Sequence, residues 1–351
     1  MRIAIATAQV PFISGGAEIM TSELTRTLVE YGHSVEVITI PFKFNPPSEV
    51  LRGMNNWAAE SIDAFDCGSI DKVICLKFPS FYLQHHNKSV WLMHQHRSVY
   101  ELYDTLYGES SKNPEAVFLR DQIIRRDKAG LEDAKQVYTI SNRVSERLKE
   151  FNGLDSSALY QPPRFSSSFH TGDQLPYIFF PSRLETLKRQ ELLIRAVKHL
   201  KSATVVVIAG DGGQRQHLTS LIDELNLTNR VRLLGNINAE DMIRWYANSL
   251  GIFFGPYDED YGFITLEAML SGKPVITCTD SGGPLEFVIH DQTGYVVEPL
   301  PEAIADAVDK LYFNRVKAKT LGMNALKHYS DLKISWDNVI SKLLNADNKG
   351  I

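Results

Sequence analysis

Cysteine is scarce in this chain. Only three of its 351 residues are cysteine, at positions 67, 75 and 278. The count is odd and no pair is spaced C-x-x-C, so the sequence encodes neither a disulfide framework nor a zinc knuckle, and Cys67, Cys75 and Cys278 suit a reducing cytosol. Long apolar runs are missing too: none reaches the roughly 18 residues that span a bilayer. Basic residues are not in excess, since 37 Lys and Arg stand against 42 Asp and Glu for a net charge of −5. Such a chain has no overall field to attract nucleic acid. There is no G-x-G-x-x-G dinucleotide fingerprint and no tandem repeat. The remainder is an ordinary globular balance, 44% hydrophobic and 23% charged, with length enough for two domains.

The N-terminus imitates a signal peptide, with Arg2, an apolar run and Ala6-Thr7-Ala8 at the place of a cleavage site. The run is too short for a signal's apolar core, and Gly15-Gly16-Ala17-Glu18 follows; the expectation is a first buried strand, Arg2 to Ala8. After the loop Gln9 to Ser14, apolar Ile19, Met20, Leu24, Leu28 and Val29 predict a helix from about Ala17 to Glu30. Gly32 stops it and Ser34 to Ile40 is the next strand, a βαβ opening. Gly15-Gly16 serves either the tight turn itself or close backbone approach to a ligand.

Further strands are expected at Lys72 to Leu76, Ser89 to Met93, Gln136 to Ile140 and Ser156 to Tyr160, with helical stretches before the first two. The strand ending at Met93 runs into His94-Gln95-His96-Arg97. Histidines at the carboxyl end of a buried strand sit where a parallel sheet presents chemistry. They are open to three readings: substrate contact, structural side chain, or metal ligand without further ligands to complete a site. A helix from about Glu115 to Asp133 carries Arg120, Arg125, Arg126 and Lys128, a basic face that is either solvated or a contact for anionic lipid.

From Arg164 to Gln174 the composition turns polar, which marks a connection between domains. A second alternation follows, with strands near Tyr177 to Phe180, Ala203 to Ala209, Val231 to Leu234, Gly251 to Phe254, Pro274 to Thr277 and Tyr295 to Val297, and a helical tail over Glu302 to Ala346. The expected fold class is α/β, two doubly wound parallel-sheet domains. Loops at one sheet edge carry the chemistry. Arg183 and Lys188 stand five apart and either hold a diphosphate or are solvated cations. Gly210-Asp211-Gly212-Gly213 offers backbone access. Glu259 and Glu267 bracket a helix start at which Gly262-Phe263-Ile264 points free amides toward phosphate or sugar oxygens. Asp258 and Asp260 form a D-x-D that could hold a divalent cation, although the cation pair already supplies positive charge.

These residues resemble the family 4 glycosyltransferases, retaining enzymes of the GT-B fold. The resemblance runs from the Gly15-Gly16 loop through His94, Ser182-Arg183 to Lys188, Ala209 to Gly212, Glu259 to Glu267 and Gly282-Gly283 with Glu286, to a closing helix from Tyr329. It implies two Rossmann-like domains facing each other across a cleft: 1–165 for the acceptor, 166–328 for the nucleotide-sugar donor, and 329–351 as a helix returning to the first. It implies that Arg183, Lys188, Glu259 and His94 are catalytic. Gly16, Gly212, Gly262, Phe263, Ile264, Thr265 and Glu267 would contact a UDP- or GDP-linked sugar, Glu267 through the ribose hydroxyls. No cofactor or metal is implied. The acceptor would be a carbohydrate or lipid-linked glycan in bacterial surface polysaccharide or glycolipid assembly, and the setting cytoplasmic, peripheral on the inner face of the membrane. Asp260 and the His-Gln-His-Arg run depart from the family pattern, the second leaving His94 or His96 as the sugar contact. Rival readings are an inactive nucleotide-sugar-binding module, a GT-B epimerase, a phosphorylase, for which nothing picks out a cofactor lysine, and an oxidoreductase, which lacks its fingerprint.

Overall fold

A computed structural model describes residues 1–12, 15–65 and 68–344; Ser14, Cys67 and the end of the expected helical tail lie outside them. The chain forms two compact units, Met1–Arg164 with Ser335–Ile351, and Phe165–Ile334.

Unit 1 runs β1 (Arg2–Gln9), α1 (Gly16–Glu30), β2 (Ser34–Pro41), α2 (Pro47–Ala59), the antiparallel pair β3 (Ala64–Phe65) and β4 (Gly68–Ser69), β5 (Lys72–Cys75), β6 (Lys88–Leu92), α3 (Pro114–Glu132), β7 (Gln136–Thr139), α4 (Asn142–Asn152) and β8 (Ser157–Ala158). Unit 2 runs β9 (Tyr177–Pro181), α5 (Gln190–Ala196), β10 (Val205–Ala209), α6 (Arg215–Glu224), β11 (Val231–Leu233), α7 (Ala239–Asn248), β12 (Gly251–Phe253), α8 (Phe263–Leu270), β13 (Val275–Cys278), β14 (Gly294–Val297), α9 (Pro301–Phe313) and α10 (Arg315–Asp331). The last helix, α11 (Trp336–Leu344), belongs to unit 1.

Each unit holds one six-stranded sheet, in the order β2-β1-β5-β6-β7-β8 and β11-β10-β9-β12-β13-β14. Every pairing in both is parallel. Parallel strands need crossovers, and the helices that make them cover both faces, so the central strands β5, β6 and β9 are buried along their whole length. β9 shows the consequence. Ile178 and Phe180 pack into one core with Val206, Ile208 and Ile276, while Tyr177 and Phe179 pack into the other with Val207, Ile252 and Tyr246. The edge strand β2 alternates between partial and full exposure instead.

Each strand expected from the apolar runs is present within two residues of its place. The sequence reading misses the β3–β4 pair, and the helical stretch expected just before β6 is a single 3-10 turn, Ser80–Tyr82. A domain boundary at 329 falls inside α10, whose Tyr329 is buried in unit 2; the break comes at 332–335. α11 then buries Val339, Ile340 and Leu343 and sets the Trp336 ring edge-on to Trp91 of β6.

Candidate active site

Strand order decides where chemistry can sit. Where a sheet's growth reverses, the loops leaving the carboxyl ends of the two central strands diverge and open a crevice. In unit 2 those strands are β9 and β12. The loop after β9 carries Arg183 and Lys188, and the loop after β12 carries Glu259 and leads into α8.

Lys188 closes a 3-10 turn, Thr186–Lys188. Its ammonium lies 2.5 Å from Glu259 Oε2 and 5.6 Å from the centre of the Phe254 ring. The two side chains are only 17% and 19% exposed, so water screens the pair poorly. Two residues expected to act on different parts of a donor are thus joined to each other. Arg183 is placed differently. Its carbonyl accepts from Gln190 Nε2 at 2.8 Å, but the residue is exposed and its guanidinium makes no hydrogen bond or ion pair among the described residues.

α8 starts at Gly262, whose φ of +88° and ψ of 60° are left-handed. A Cβ here would stand 3.0 Å from Pro284 Cγ and 3.2 Å from the Phe254 ring, so both backbone and space require glycine. The turn bonds the Thr265 amide to the Gly262 carbonyl at 2.9 Å. The amides of Phe263 and Ile264 take no partner among the described residues, the ordinary condition of a helix start and a place for anionic oxygens. Thr265, expected to contact the donor, is wholly buried and its Oγ1 has no partner among the described residues; its side chain packs inside unit 2.

Glu267 lies one turn into α8. Its Oε2 accepts from the Tyr246 hydroxyl at 2.6 Å, and Oε1 takes no partner among the described residues. Burial pushes the carboxyl up to about 7, and the Tyr246 bond offsets part of that rise. Gly212 has a role nearer to packing than to a ligand. At φ +157° its Cβ would sit 2.5 Å from the Leu184 carbonyl oxygen, and Leu184 N donates to Asp211 O at 2.9 Å. The glycine turn after β10 is there because another loop of the chain presses against it.

Sequence reasoning overlooks Arg189, Asp280 and Tyr246. Arg189 donates to both Asp280 oxygens, at 2.7 and 2.6 Å. These residues are far apart in sequence and fall in no motif; the one available signal was a second cation directly after Lys188.

In unit 1 the reversal lies between β1 and β5. Gly16 is exposed at the start of α1. Glu18 caps that helix, accepting from Gly15 N at 2.8 Å, and its other oxygen lies 3.4 Å from the buried ammonium of Lys77, which follows β5. The two histidines after β6 part company. His94 is half-buried, and its Nδ1 bonds the Gln95 carbonyl at 2.8 Å. That bond puts the proton on Nδ1 and leaves Nε2 as an acceptor. His96 is buried with its ring against Phe44 and Phe78, and burial lowers its pKa to about 4. The loop is tied down by buried Gln95, which donates to Asn152 of α4.

Two other expectations meet their geometry here. The cations of α3 are engaged: Arg125 with Asp121, Lys128 with Glu132 at 3.9 Å, Arg126 with Asn55, and Arg120 with the Val99 carbonyl. Among the described residues, Asp63, His85 and His86 come close enough together for a metal. His85, however, accepts from Asn87 N through Nδ1 and faces the Ile70 carbonyl with Nε2, so its neutral ring has no lone pair to spare. No helix among the described residues is long and apolar enough to cross a membrane.

Residues 164–328 match the family described as Glycosyl transferases group 1. Over 99% of this chain and 97% of its own length, an uncharacterized glycosyltransferase of Methanocaldococcus jannaschii is 27% identical. Further curated sugar transferases match over shorter spans, 33% of one and 57% of another. Among solved structures, sucrose-phosphate synthase from Thermosynechococcus elongatus superposes with a TM-score of 0.77 at 19% identity, covering 98% of each chain. The Anabaena protein HepE in complex with UDP and glucose follows at 0.69 and 18%, covering 99% of this chain and 100% of its own. Residues 164–328 are therefore similar to the group 1 glycosyl transferases, and the chain has the GT-B fold of its solved neighbours.

Proposed function

We propose that the protein is a retaining hexosyltransferase that moves a sugar from a nucleoside diphosphate sugar to an acceptor hydroxyl. One observation carries the reading. The carboxyl edge of the unit 2 sheet presents Arg183, whose guanidinium has no partner among the described residues, and the amides of Phe263 and Ile264, likewise unpartnered among them, on loops leaving the two strands of the reversal. That combination suits a diphosphate. In this reading Lys188 exchanges Glu259 for the leaving phosphate, and Glu259 turns to the sugar hydroxyls. Glu267 Oε1 accepts from the ribose. A neighbour of the same fold holds UDP and glucose, which favours UDP over GDP as the first donor to try.

The charge that develops on the leaving diphosphate is met by Arg183, Lys188 and the α8 amides, each such donor being worth about 3 kcal/mol. In this reading neither carboxylate is a nucleophile: Glu259 turns to the sugar hydroxyls, and Glu267 stays bonded to Tyr246. Retention then follows from attack on the face that the diphosphate leaves, with the leaving oxygen taking the acceptor's proton. Within unit 1, His94 Nε2 is an acceptor for a sugar hydroxyl and Gly16 is exposed at a helix start. The transfer uses no metal and no cofactor. A glycan or lipid-linked acceptor of surface polysaccharide or glycolipid assembly, met at the inner face of a membrane, is the family's usual setting; the paired cations of α3 lend it no electrostatic support.

The test is release of nucleoside diphosphate from UDP- and GDP-sugars by the purified full chain supplied with a panel of glycan and glycolipid acceptors. Turnover with a product of unchanged anomeric configuration supports the reading; an inverted product, or binding of nucleotide sugars with no turnover on any acceptor, counts against it.

A further inference from the structure

Resting on that reading of unit 2, we propose that Arg189 is the positioning residue of the donor site: it holds the loop that carries Glu259 in register with Lys188. Arg189 adopts φ +54° and ψ 42°, a left-handed conformation that a side-chain-bearing residue rarely takes. Glycine would take it without strain, whereas the arginine here holds it with its side chain engaged. That side chain is only 13% exposed, and four of its five N–H groups are committed. Nε donates to the Gly255 carbonyl at 2.8 Å and Nη2 to the Pro256 carbonyl at 2.7 Å. The guanidinium edge grips Asp280 through both oxygens.

The partners explain the consequence. Gly255 and Pro256 open the loop after β12, and Asp280 opens the loop after β13. The same two loops are laced by backbone bonds around the acid itself: Asp258 N to Asp280 O at 2.9 Å, Glu259 N to Ser281 O at 2.9 Å, and Gly283 N to Glu259 O at 2.7 Å. Arg189 thus ties the loops of three adjacent strands, β9, β12 and β13, into one body. The left-handed turn sends consecutive side chains to different partners, Lys188 to Glu259 and Arg189 to Asp280. With its fork filled, Arg189 is no ligand for a phosphate. Lysine, a point charge, cannot reproduce the two-oxygen grip and the two carbonyl bonds together.

The experiment uses the full chain with the substitutions Arg189→Lys, Arg189→Gly, Asp280→Asn and the double Arg189→Lys/Asp280→Asn. With a turned-over nucleotide sugar, Arg189→Lys is expected to lower kcat/KM for the donor about 100-fold, the usual effect of an ångström of misplacement, and to leave the acceptor KM unchanged. The double variant should lose no more than the worse single one, since both break one unit. Arg189→Gly relieves the backbone and guards against simple misfolding; it should keep the wild-type melting temperature more nearly while losing turnover. A second readout needs no activity: acetic anhydride labelling of Lys188, followed by peptide mass spectrometry, should quicken several-fold in Arg189→Lys and Arg189→Gly as Glu259 moves away. Unchanged Lys188 labelling in both variants overturns the proposal, as does a lowered melting temperature with kcat/KM per folded molecule intact. If wild-type protein turns over no donor, the transferase reading fails, and the labelling arm still decides the role of Arg189.

Discussion

The ammonium of Lys188 touches the carboxylate of Glu259 at 2.5 Å, joining the loops that leave β9 and β12 where the sheet of unit 2 reverses. Each group occupies the charge of the other before any ligand arrives. In the proposed reading a diphosphate therefore competes with Glu259 for Lys188, and a sugar competes with Lys188 for Glu259.

That competition separates binding from transfer. Glu259→Ala is expected to cut transfer by about 100-fold or more, because the sugar loses its anchor. Nucleoside diphosphate should bind as tightly as to wild type or more tightly, because Lys188 is released. Calorimetric titration beside a turnover assay checks both halves. A variant that melts normally yet binds the diphosphate more weakly would contradict the exchange.

Gly262 predicts a loss that joins stability to function. Alanine there meets Pro284 and the Phe254 ring and must hold a left-handed backbone, at a cost of about 1–3 kcal/mol. Urea unfolding should report that destabilisation. The folded fraction should also bind donor poorly, since the α8 amides turn with the helix start.

Glu267 predicts a pH dependence. Its carboxyl is raised by burial from the ordinary 4.5 to about 7, so between those values the folded state holds a proton that the unfolded state has lost. Its contribution to stability therefore falls as pH rises through that window. In the proposed reading the ionised Oε1 is the ribose acceptor, so affinity is expected to run the other way, nucleoside diphosphate binding more tightly from pH 6 to 8. Glu267→Gln should flatten both profiles, and parallel wild-type and variant curves would remove Glu267 from the ribose contact.

The two histidines after β6 should respond oppositely. His94→Ala is expected to keep stability within about 0.5 kcal/mol while transfer falls tenfold or more. His96→Ala empties a site between the Phe44 and Phe78 rings and should lose about 1–3 kcal/mol. Denaturation and turnover of both variants, measured together, distinguish a sugar contact from a core side chain.

Chelation tests the charge assignment. With Arg183 and Lys188 meeting the leaving diphosphate, transfer should continue undiminished in EDTA. Loss of turnover restored by Mn²⁺ would move the role to Asp258 and Asp260.

Much of this was legible in the chain itself. Central parallel strands are apolar on both faces, so runs such as Tyr177 to Phe180 and Val205 to Ala209 announce themselves without help from periodicity, and the loops that follow them are the ones a parallel sheet presents. Residue types that only one environment tolerates were legible as well: Gly262 at a helix start, and cations and acids at strand ends. Partnership between distant residues was not. Nothing local couples Lys188 to Glu259, Arg189 to Asp280, or Glu267 to Tyr246, because each pair is made by strand order and not by spacing. The same holds for His94 and His96, two residues apart with equal chemistry, which only the packing of Phe44 and Phe78 tells apart. Sequence by itself determined the elements and the reactive groups on this protein's sheet edges. Tertiary structure alone decided which charges meet, because a contact depends on loops that close only when non-neighbouring strands lie side by side.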